Sequence, residues 1–451
     1  MKKKLLTVTA SVLIAVLLTV SCSKNSGDER DNLISDTTVE NGSDSDSGTD
    51  GSIDTSQDTA VSGTEIDSFS DSETGTESDT GIPPFITGFF VQPQLGYGVT
   101  DPSLFSSQAE YDAFVKTMSD AGADTLIYQW TTHYWYNQTW FSDTYGGDAS
   151  GDFAFYNADS NTISGISARG WVTPTLWPGS PNDGGKEPVE YILDAAEANS
   201  INIILGLYLC EDSNGYNWWN AISDNIITKE DRDIINYHVE RSIVIVNELY
   251  SKYKQKTALK GFYLSVEIAN IAFIPEANWP ILADLLDRVA DAVHQNDPAL
   301  TLSISPFFNT KLSTSEEYGA MWNYALANSD LDIIILQDGV GVEPETLTES
   351  EDKISPFFIE VAKAAKNNKK QFWANSELFT NTGTRENPAF EPATIEKIEL
   401  QLKTEAQYTT KLVSFDFHYM DPNPNYNFNP PLTDDAAKRA ALYKSYSQYL
   451  K

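Results

Sequence analysis

The chain has 451 residues, 41% of them hydrophobic and 21% charged, which is enough for one large domain or two average ones. Acidic residues outnumber basic ones by 65 to 30, and the net charge of −35 argues against a protein that binds nucleic acid through clustered Lys and Arg. With two cysteines and four histidines, the chain lacks a disulfide framework and a cysteine-based zinc site, and we expect neither a metal nor a cofactor.

The first 22 residues are typical of a targeting signal. A basic start, Met1 to Lys4, precedes an apolar run, Leu5 to Val20, that is short for a membrane span. The segment ends at Cys22 and resembles the bacterial lipobox, whose cysteine becomes the lipidated first residue. The resemblance implies a membrane anchor at Cys22 and a place in the bacterial cell envelope, periplasmic or at the surface. An ordinary secretory signal is the alternative.

Residues 23–82 predict a disordered acidic tether. They contain 13 Ser, 11 Asp, 9 Thr and 7 Gly, and their charge is 2 − 16 = −14. Such a segment cannot bury enough apolar surface to offset the entropy of ordering. We expect it to act as a spacer that holds a folded domain, residues 83–451, away from the membrane.

Short apolar runs alternate with helical patterns along the folded part. The predicted strands are Phe85–Val91, Asp124–Trp130, Ile201–Leu209, Gly261–Glu267, Thr301–Ser305, Asp332–Gln337, Gln371–Glu377 and Val413–Tyr419. The predicted helices are Ser107–Ala121, Pro188–Asn199, Lys229–Tyr253, Trp279–Gln295, Ser315–Ala327, Pro356–Asn367, Ala393–Thr409 and Thr433–Tyr449. Eight βα units predict an α/β protein with a (β/α)8 TIM barrel, as a monomer. A doubly wound open sheet is the alternative, but it would need a glycine-rich turn after the first strand.

An aromatic-rich insertion is predicted after the second strand. Between Tyr128 and Trp177 there are 13 aromatic residues in 50, including five of the ten Trp. Aromatic planes among Asn, Asp and Ser suit sugar rings, which have apolar faces and hydroxyl rims. A small satellite core under a long loop is an equal alternative.

Polar residues collect where the predicted strands end, which is where barrel active sites are built. The alternation of side chains predicts that Ser265, Glu267 and Glu377 point into the barrel. On the eighth strand it predicts Ser414, Asp416 and His418 inward, with Val413, Phe415 and Phe417 outward. The candidate substrate-binding residues are Gln129, Trp130, Tyr208, Trp219, Gln337, Asp338, Trp373, Asn375, Asp416 and His418.

Two glutamates carry the chemical hypothesis. Glycoside hydrolysis needs one carboxylic acid to protonate the leaving oxygen and a second carboxylate to attack the sugar or activate water. Glu267 and Glu377 end the predicted fourth and seventh strands, which lie on opposed arcs of a barrel. The pair resembles that of the large clan of retaining barrel glycosidases, which implies Glu267 as acid/base and Glu377 as nucleophile. Val266 stands where that clan usually has Asn.

Six motifs in this order along the chain resemble the glycosidase-like barrels of domain-of-unknown-function family 4434. They are Ile86-Thr87-Gly88-Phe89-Phe90, Asp124 to Trp130, Gly206-Leu207-Tyr208, Gly261 through Glu267, Gln337 to Gly341 and Trp373 to Glu377. The resemblance implies a (β/α)8 fold and a suspected activity on carbohydrate. We therefore expect a glycoside hydrolase, with a non-catalytic glycan-binding lipoprotein as the second hypothesis and a structural envelope protein as the third.

Overall fold

The computed structural model describes residues 83–92, 107–135, 151–156, 158, 186–210, 215–342, 347–384, 387–424 and 436–451. The predicted signal, Cys22 and the tether lie outside these ranges, so their predictions remain untested. Within these ranges, no helix combines the length and apolar character that a membrane span requires.

Eight parallel strands close into a barrel, which confirms the predicted fold. Gly88 pairs with Val413, so the first strand closes the ring against the eighth. In chain order the barrel strands are Gly88–Val91, Thr125–Tyr128, Asn202–Gly206, Leu259–Leu264, Thr301–Ile304, Ile333–Gln337, Gln371–Glu377 and Lys411–Phe415. Each overlaps a predicted strand, because an apolar run bounded by turn residues is a strong signal for a buried parallel strand. The eighth, predicted as Val413–Tyr419, instead begins at Lys411 and ends at Phe415, and Phe417–Tyr419 forms a short 3-10 helix.

Helices alternate with the strands along the chain. In order they are Gln108–Asp120, Pro188–Ala198, Trp218–Ala221, Lys229–Tyr253, Trp279–Asn296, Ser315–Ala327, Leu347–Asn367, Ile395–Glu405 and Ala436–Tyr449. Three of them begin at capping boxes, in which the N-cap hydroxyl and an acidic side chain three residues on satisfy the first backbone donors. These boxes start at Ser107, Thr228 and Thr314.

The helix before the seventh strand is longer than the sequence predicts. It begins at Leu347, and Pro356, which we expected near its start, lies inside it. The apolar pattern continues across the proline, since Ile354 is buried like Phe357 and Phe358. Packing on the barrel therefore outweighs the local preference of proline for a first turn.

A three-stranded sheet stands beside the second and third barrel strands. Its strands are Gly151–Ala154, Thr132–Trp135 and Tyr208–Cys210, in that order. The first two belong to the predicted aromatic insertion, most of which lies outside the described residues. The third was predicted as the end of the third barrel strand, but the barrel strand stops at Gly206.

The orientation predicted for the eighth strand is wrong. Val413 lies in the apolar cluster inside the barrel, and Phe415 packs against that cluster. Phe417 does face outward, with its ring 5.1 Å from that of Phe89. Alternation could not choose between the faces, because the barrel interior has an apolar layer of its own.

Gly206 marks the point where the third strand leaves the barrel. A Cβ on this residue would overlap the carbonyl groups of Gln129 and Tyr128, which belong to backbone and cannot rotate away. Only glycine therefore allows the second and third strands to approach this closely.

We expect Gly206→Ala to lower the free energy of unfolding by about 2 kcal/mol or more, because a strand must shift to accept the methyl group. Thermal unfolding followed by circular dichroism measures the change. Gly215→Ala is the control, since a Cβ there meets nothing and only its φ of +90° opposes the substitution. Equal melting temperatures for Gly206→Ala and the parent would contradict the argument.

Candidate active site at the carboxyl ends of the strands

The barrel interior has an apolar layer and, above it, a polar one. The apolar layer consists of Phe90, Ile127, Ile204, Tyr263, Ile333, Ile335, Trp373 and Val413. Two residues further along each strand, the side chain faces inward again. The polar residues reached in this way are Gln92, Gln129, Ser265, Gln337 and Asn375. Together with Ser305, two residues after Ser303, the register partner of Tyr263, they form what we call the polar ring.

Side-chain hydrogen bonds connect the fourth to seventh strands across this ring. Gln337 Nε2 donates to Glu267 Oε1 and to the Ser305 carbonyl oxygen, both at 3.0 Å. Asn375 Nδ2 donates to Ser305 Oγ at 3.1 Å. Gln337 and Asn375 also face each other as register partners on adjacent strands. The structure thus brings together Glu267, Gln337 and Asn375, as the sequence predicts.

Glu267 lies just beyond the fourth strand and is 8% exposed. Its backbone carbonyl accepts a hydrogen bond of 2.6 Å from Trp218 Nε1, while its carboxylate accepts the bond from Gln337. Ser265 Oγ donates to the Gln129 carbonyl oxygen at 2.9 Å and fixes the same strand against the second one. Hydrogen bonds therefore fix both the backbone and the carboxylate of Glu267.

Glu377 ends the seventh strand and is 4% exposed. Its Oε2 atom accepts hydrogen bonds from the backbone N–H groups of Gly341 and Val342, in the loop after the sixth strand. Burial and the neighbouring Asp338 raise the pKa of Glu377 to about 8, although Lys397 and the two N–H donors act in the opposite direction.

A cluster of buried ionisable side chains lies beside Glu377. Asp338 accepts hydrogen bonds from the Val340 N–H at 3.1 Å and from Gln401 Nε2. Ser376 Oγ donates a hydrogen bond to Glu405. Burial, and after it the neighbouring Asp338, raises the pKa of Glu405 well above its usual range. We call Asp338, Lys397, Gln401 and Glu405 the buried cluster. Asp338 was predicted to contact substrate, but its contacts lie within this cluster.

Lys397 joins the two loops that surround Glu377. Its Nζ atom donates to the carbonyl oxygens of Val340 and Phe379, at 3.0 and 2.9 Å, and to Thr380 Oγ1 at 3.1 Å. Burial lowers the pKa of this lysine, while Asp338 and Glu377 raise it. A buried cation at this point partly compensates the surrounding carboxyl groups.

Asp416 and His418 lie beyond the eighth strand. Asp416 Oδ2 accepts a hydrogen bond of 3.1 Å from Gln92 Nε2 and lies 2.9 Å from His418 Nδ1. His418 is 1% exposed, so its imidazole is part of the protein interior. Through Gln92 this pair connects to the polar ring and supports the first strand.

The predicted aromatic contacts lie elsewhere than expected. Trp373 is inside the barrel, but its Nε1 donates to Gln371 at the start of the seventh strand, and Lys411 lies over its ring at 5.1 Å. Both partners are at the amino-terminal end, which is inconsistent with a sugar-stacking role. Tyr208 packs against the Lys229–Tyr253 helix, with its hydroxyl 3.3 Å from that of Tyr237.

The other two tryptophans that were predicted to bind substrate are buried in the apolar core around the barrel. Trp130 and Trp219 are each 5% exposed and belong to the large apolar cluster rather than to the barrel interior. Trp218, which we did not single out for the site, is the tryptophan that contacts Glu267. Sequence reasoning predicted Ser265 inward without giving it a role, and it missed Gln92 and Ser305. Alternation from Phe90 would have found Gln92.

Among the residues that the structure describes, one group of carboxylates could hold a metal ion, and it lies outside the site. The carboxylate oxygens of Asp287, Asp291 and Asp330 come within 4.8 Å of one another. Asp330 lies before the sixth strand begins, at the end of the barrel opposite the polar ring. These three carboxylates are therefore not part of the candidate active site.

Closed barrel, polar ring and carboxyl groups at the strand ends together define a glycosidase-like barrel. The chain belongs to the family described as "Domain of unknown function (DUF4434)", whose profile matches residues 86–427. The predicted resemblance is thereby confirmed. No curated protein matches the chain.

Solved structures with the same architecture include several glycosidases. A protein of Bacteroides thetaiotaomicron described as a "putative alpha-L-fucosidase" is 19% identical, with a TM-score of 0.55, over 83% of this chain and 99% of that one. An endo-1,4-β-D-mannanase of Thermotoga petrophila is 13% identical, with a TM-score of 0.48, over 81% and 99%. At 19% identity the likeness to the Bacteroides protein shows the fold alone.

The raised pKa of Glu377 predicts how stability depends on pH. The native state holds this proton more tightly than the unfolded chain, whose glutamates titrate near 4.5. The ionised carboxylate therefore destabilises the fold progressively from pH 4.5 to pH 8. We expect Glu377→Gln to match the parent at pH 4 and to exceed it at pH 9 by up to about 5 kcal/mol.

Denaturant unfolding across this pH range measures the difference. Glu396→Gln, on the exposed start of the helix that also carries Lys397, is the matched control for removing one carboxylate. A constant difference between Glu377→Gln and the parent at all pH values would contradict the prediction.

Proposed function

We propose that this protein hydrolyses glycosidic bonds of a poly- or oligosaccharide with Glu267 and Glu377 as its catalytic pair. The observation that carries the proposal is the placement of two buried, oriented carboxyl groups at the ends of the fourth and seventh strands, with polar amides around Glu267. Hydrolysis of an acetal needs a proton donor and a second carboxylate, and no cofactor.

In the proposed mechanism Glu267 protonates the leaving oxygen and Glu377 attacks the anomeric carbon. Water then hydrolyses the glycosyl-enzyme after Glu267 has become the base, so configuration is retained. The N–H groups of Gly341 and Val342 orient Glu377 through Oε2, which leaves Oε1 as the attacking atom. Gln337 orients Glu267.

A non-catalytic glycan-binding protein is the second candidate, and Val266 favours it. This residue precedes Glu267 and is buried in the apolar cluster that surrounds the barrel, so it offers substrate no hydrogen bond. An amide at this place is what the retaining clan usually has. A fold by itself does not establish a reaction.

We also propose that the protein works at the bacterial cell envelope. Support comes from the sequence, in which a lipobox-like segment ending at Cys22 precedes the acidic stretch 23–82. Lipidation would anchor the chain, and the acidic tether would let the barrel reach a glycan outside the bilayer.

We expect the purified protein to release reducing ends from at least one member of a polysaccharide panel. Glu267→Gln should lower the rate by at least about a hundredfold, because general acid catalysis contributes about that much. Gln407→Glu, at an exposed position in the turn after the Ile395–Glu405 helix, is a control that should keep the parental rate. Equal release by Glu267→Gln and the parent would remove Glu267 from the proposal, and glycan binding without release by the parent would favour the second candidate.

The pH profile tests whether Glu377 titrates in the reaction. With a pKa of about 8, Glu377 is only about one tenth ionised at pH 7. Glycoside hydrolysis needs one protonated and one ionised carboxyl group, so titration of Glu377 changes the fraction of active enzyme. We therefore expect a limb near pH 8 in the pH profile of kcat/KM, and a profile that is flat from about pH 7 to about pH 9 would contradict the prediction.

A further inference from the structure

The polar ring contains two buried acceptor atoms that the rest of the site does not use. Gln129 Oε1 and Asn375 Oδ1 have no hydrogen-bond partner among the described residues. Gln129 is 6% exposed and Asn375 1% exposed, so neither oxygen is on an open surface. A buried acceptor without a donor destabilises the protein, and a hydrogen bond from a ligand would recover that loss.

Both side chains point into the mouth of the barrel. Gln129 follows Ile127 of the inner apolar layer at a spacing of two residues. Asn375 reaches across the sixth strand to Ser305, which is possible only from inside the barrel. The two acceptors therefore face the space above the apolar layer from the second and seventh strands.

Several donor groups of the ring are, by contrast, engaged with protein oxygens. Gln337 Nε2 donates to Glu267 and Ser305, and Asn375 Nδ2 donates to Ser305. Ser265 Oγ–H donates to the Gln129 carbonyl oxygen and Gln92 Nε2 to Asp416. The two unpaired side-chain oxygens, Gln129 Oε1 and Asn375 Oδ1, therefore favour a ligand that supplies hydrogen-bond donors.

Carboxyl groups surround the polar ring. Glu267, Glu377 and Asp416 stand at its rim, and no Lys or Arg occupies an inward position on the carboxyl-terminal half of a described barrel strand. Lys397 donates to backbone oxygens of the loops, and Lys411 lies at the amino-terminal end of the barrel. An anionic ligand would meet repulsion here without a cation to pair with.

We propose that the polar ring binds an uncharged sugar residue whose hydroxyl groups donate to Gln129 Oε1 and Asn375 Oδ1, and that it discriminates against uronic acids. This inference rests on the proposed function and narrows its substrate to neutral glycans. The glutamine and asparagine set specificity, since an unpaired acceptor rejects ligands that lack the donor.

The test compares matched sugar pairs by saturation-transfer NMR on the full chain, kept in a detergent without a sugar head group. The probes are the methyl glycosides of glucose, galactose and mannose and of the three corresponding uronic acids, with xylose and fucose glycosides added. We expect at least one neutral glycoside to bind, and its uronic partner to bind at least about tenfold more weakly.

Two near-isosteric variants test the acceptors. Gln129→Met and Asn375→Leu should each weaken binding of the neutral glycoside by about tenfold, which is the effect of losing one hydrogen bond. Gln407→Met, at an exposed position, should bind like the parent. Circular dichroism shows whether each variant is folded, and the sugar pairs on the parent decide the question if one is not.

Uronic acids that bind as well as their neutral partners would overturn the inference, as would unchanged binding by both folded variants or no binding of any neutral glycoside. The inference and the proposed reaction can fail separately. Release of uronic acids from a polysaccharide would support the proposed reaction and refute the inference. Binding of a neutral sugar without hydrolysis would support the inference and count against the proposed reaction.

Discussion

The apolar layer inside the barrel is the constraint on which the site depends. Large side chains from all but the fifth strand fill the interior at one level, so the barrel is a packed core and not a pore. Inward polar groups are thereby confined to the level above, at the carboxyl ends of the strands. There most of them pair with one another or with backbone, because an unpaired buried polar group is costly. The polar ring, with Gln337 at its centre, is the result.

Glu377 shows how the same constraint reaches the chemistry. Backbone donors from the loop after the sixth strand orient its carboxylate, while burial and Asp338 oppose its charge. Lys397 relieves part of that repulsion and also ties the two loops together. A group in such a position costs stability when ionised, and active sites commonly accept this cost.

Predictions for the site succeeded where backbone position decides and failed where side-chain direction decides. Glu267 and Gln337 were placed correctly because strand ends converge at one rim. Trp373 was expected to stack on sugar, but its residue lies two positions below Asn375, at the level of the apolar layer. Asp338 ends its strand like Gln337, yet it turns toward Gln401 instead of the ring. Neighbours in space, which a single sequence does not reveal, made these differences.

The sequence by itself determined the eight alternating units, the place of the paired glutamates at the strand ends and the family, because apolar runs and short motifs are local signals. Only the tertiary structure decided which face of the eighth strand is inside, since the barrel interior and the layer under the helices are both apolar and either could receive Val413 and Phe415. It alone decided that Val413 and Phe415 fill the barrel and that a buried cluster stands beside Glu377. Those features arise from contacts between strands and helices that are distant along the chain.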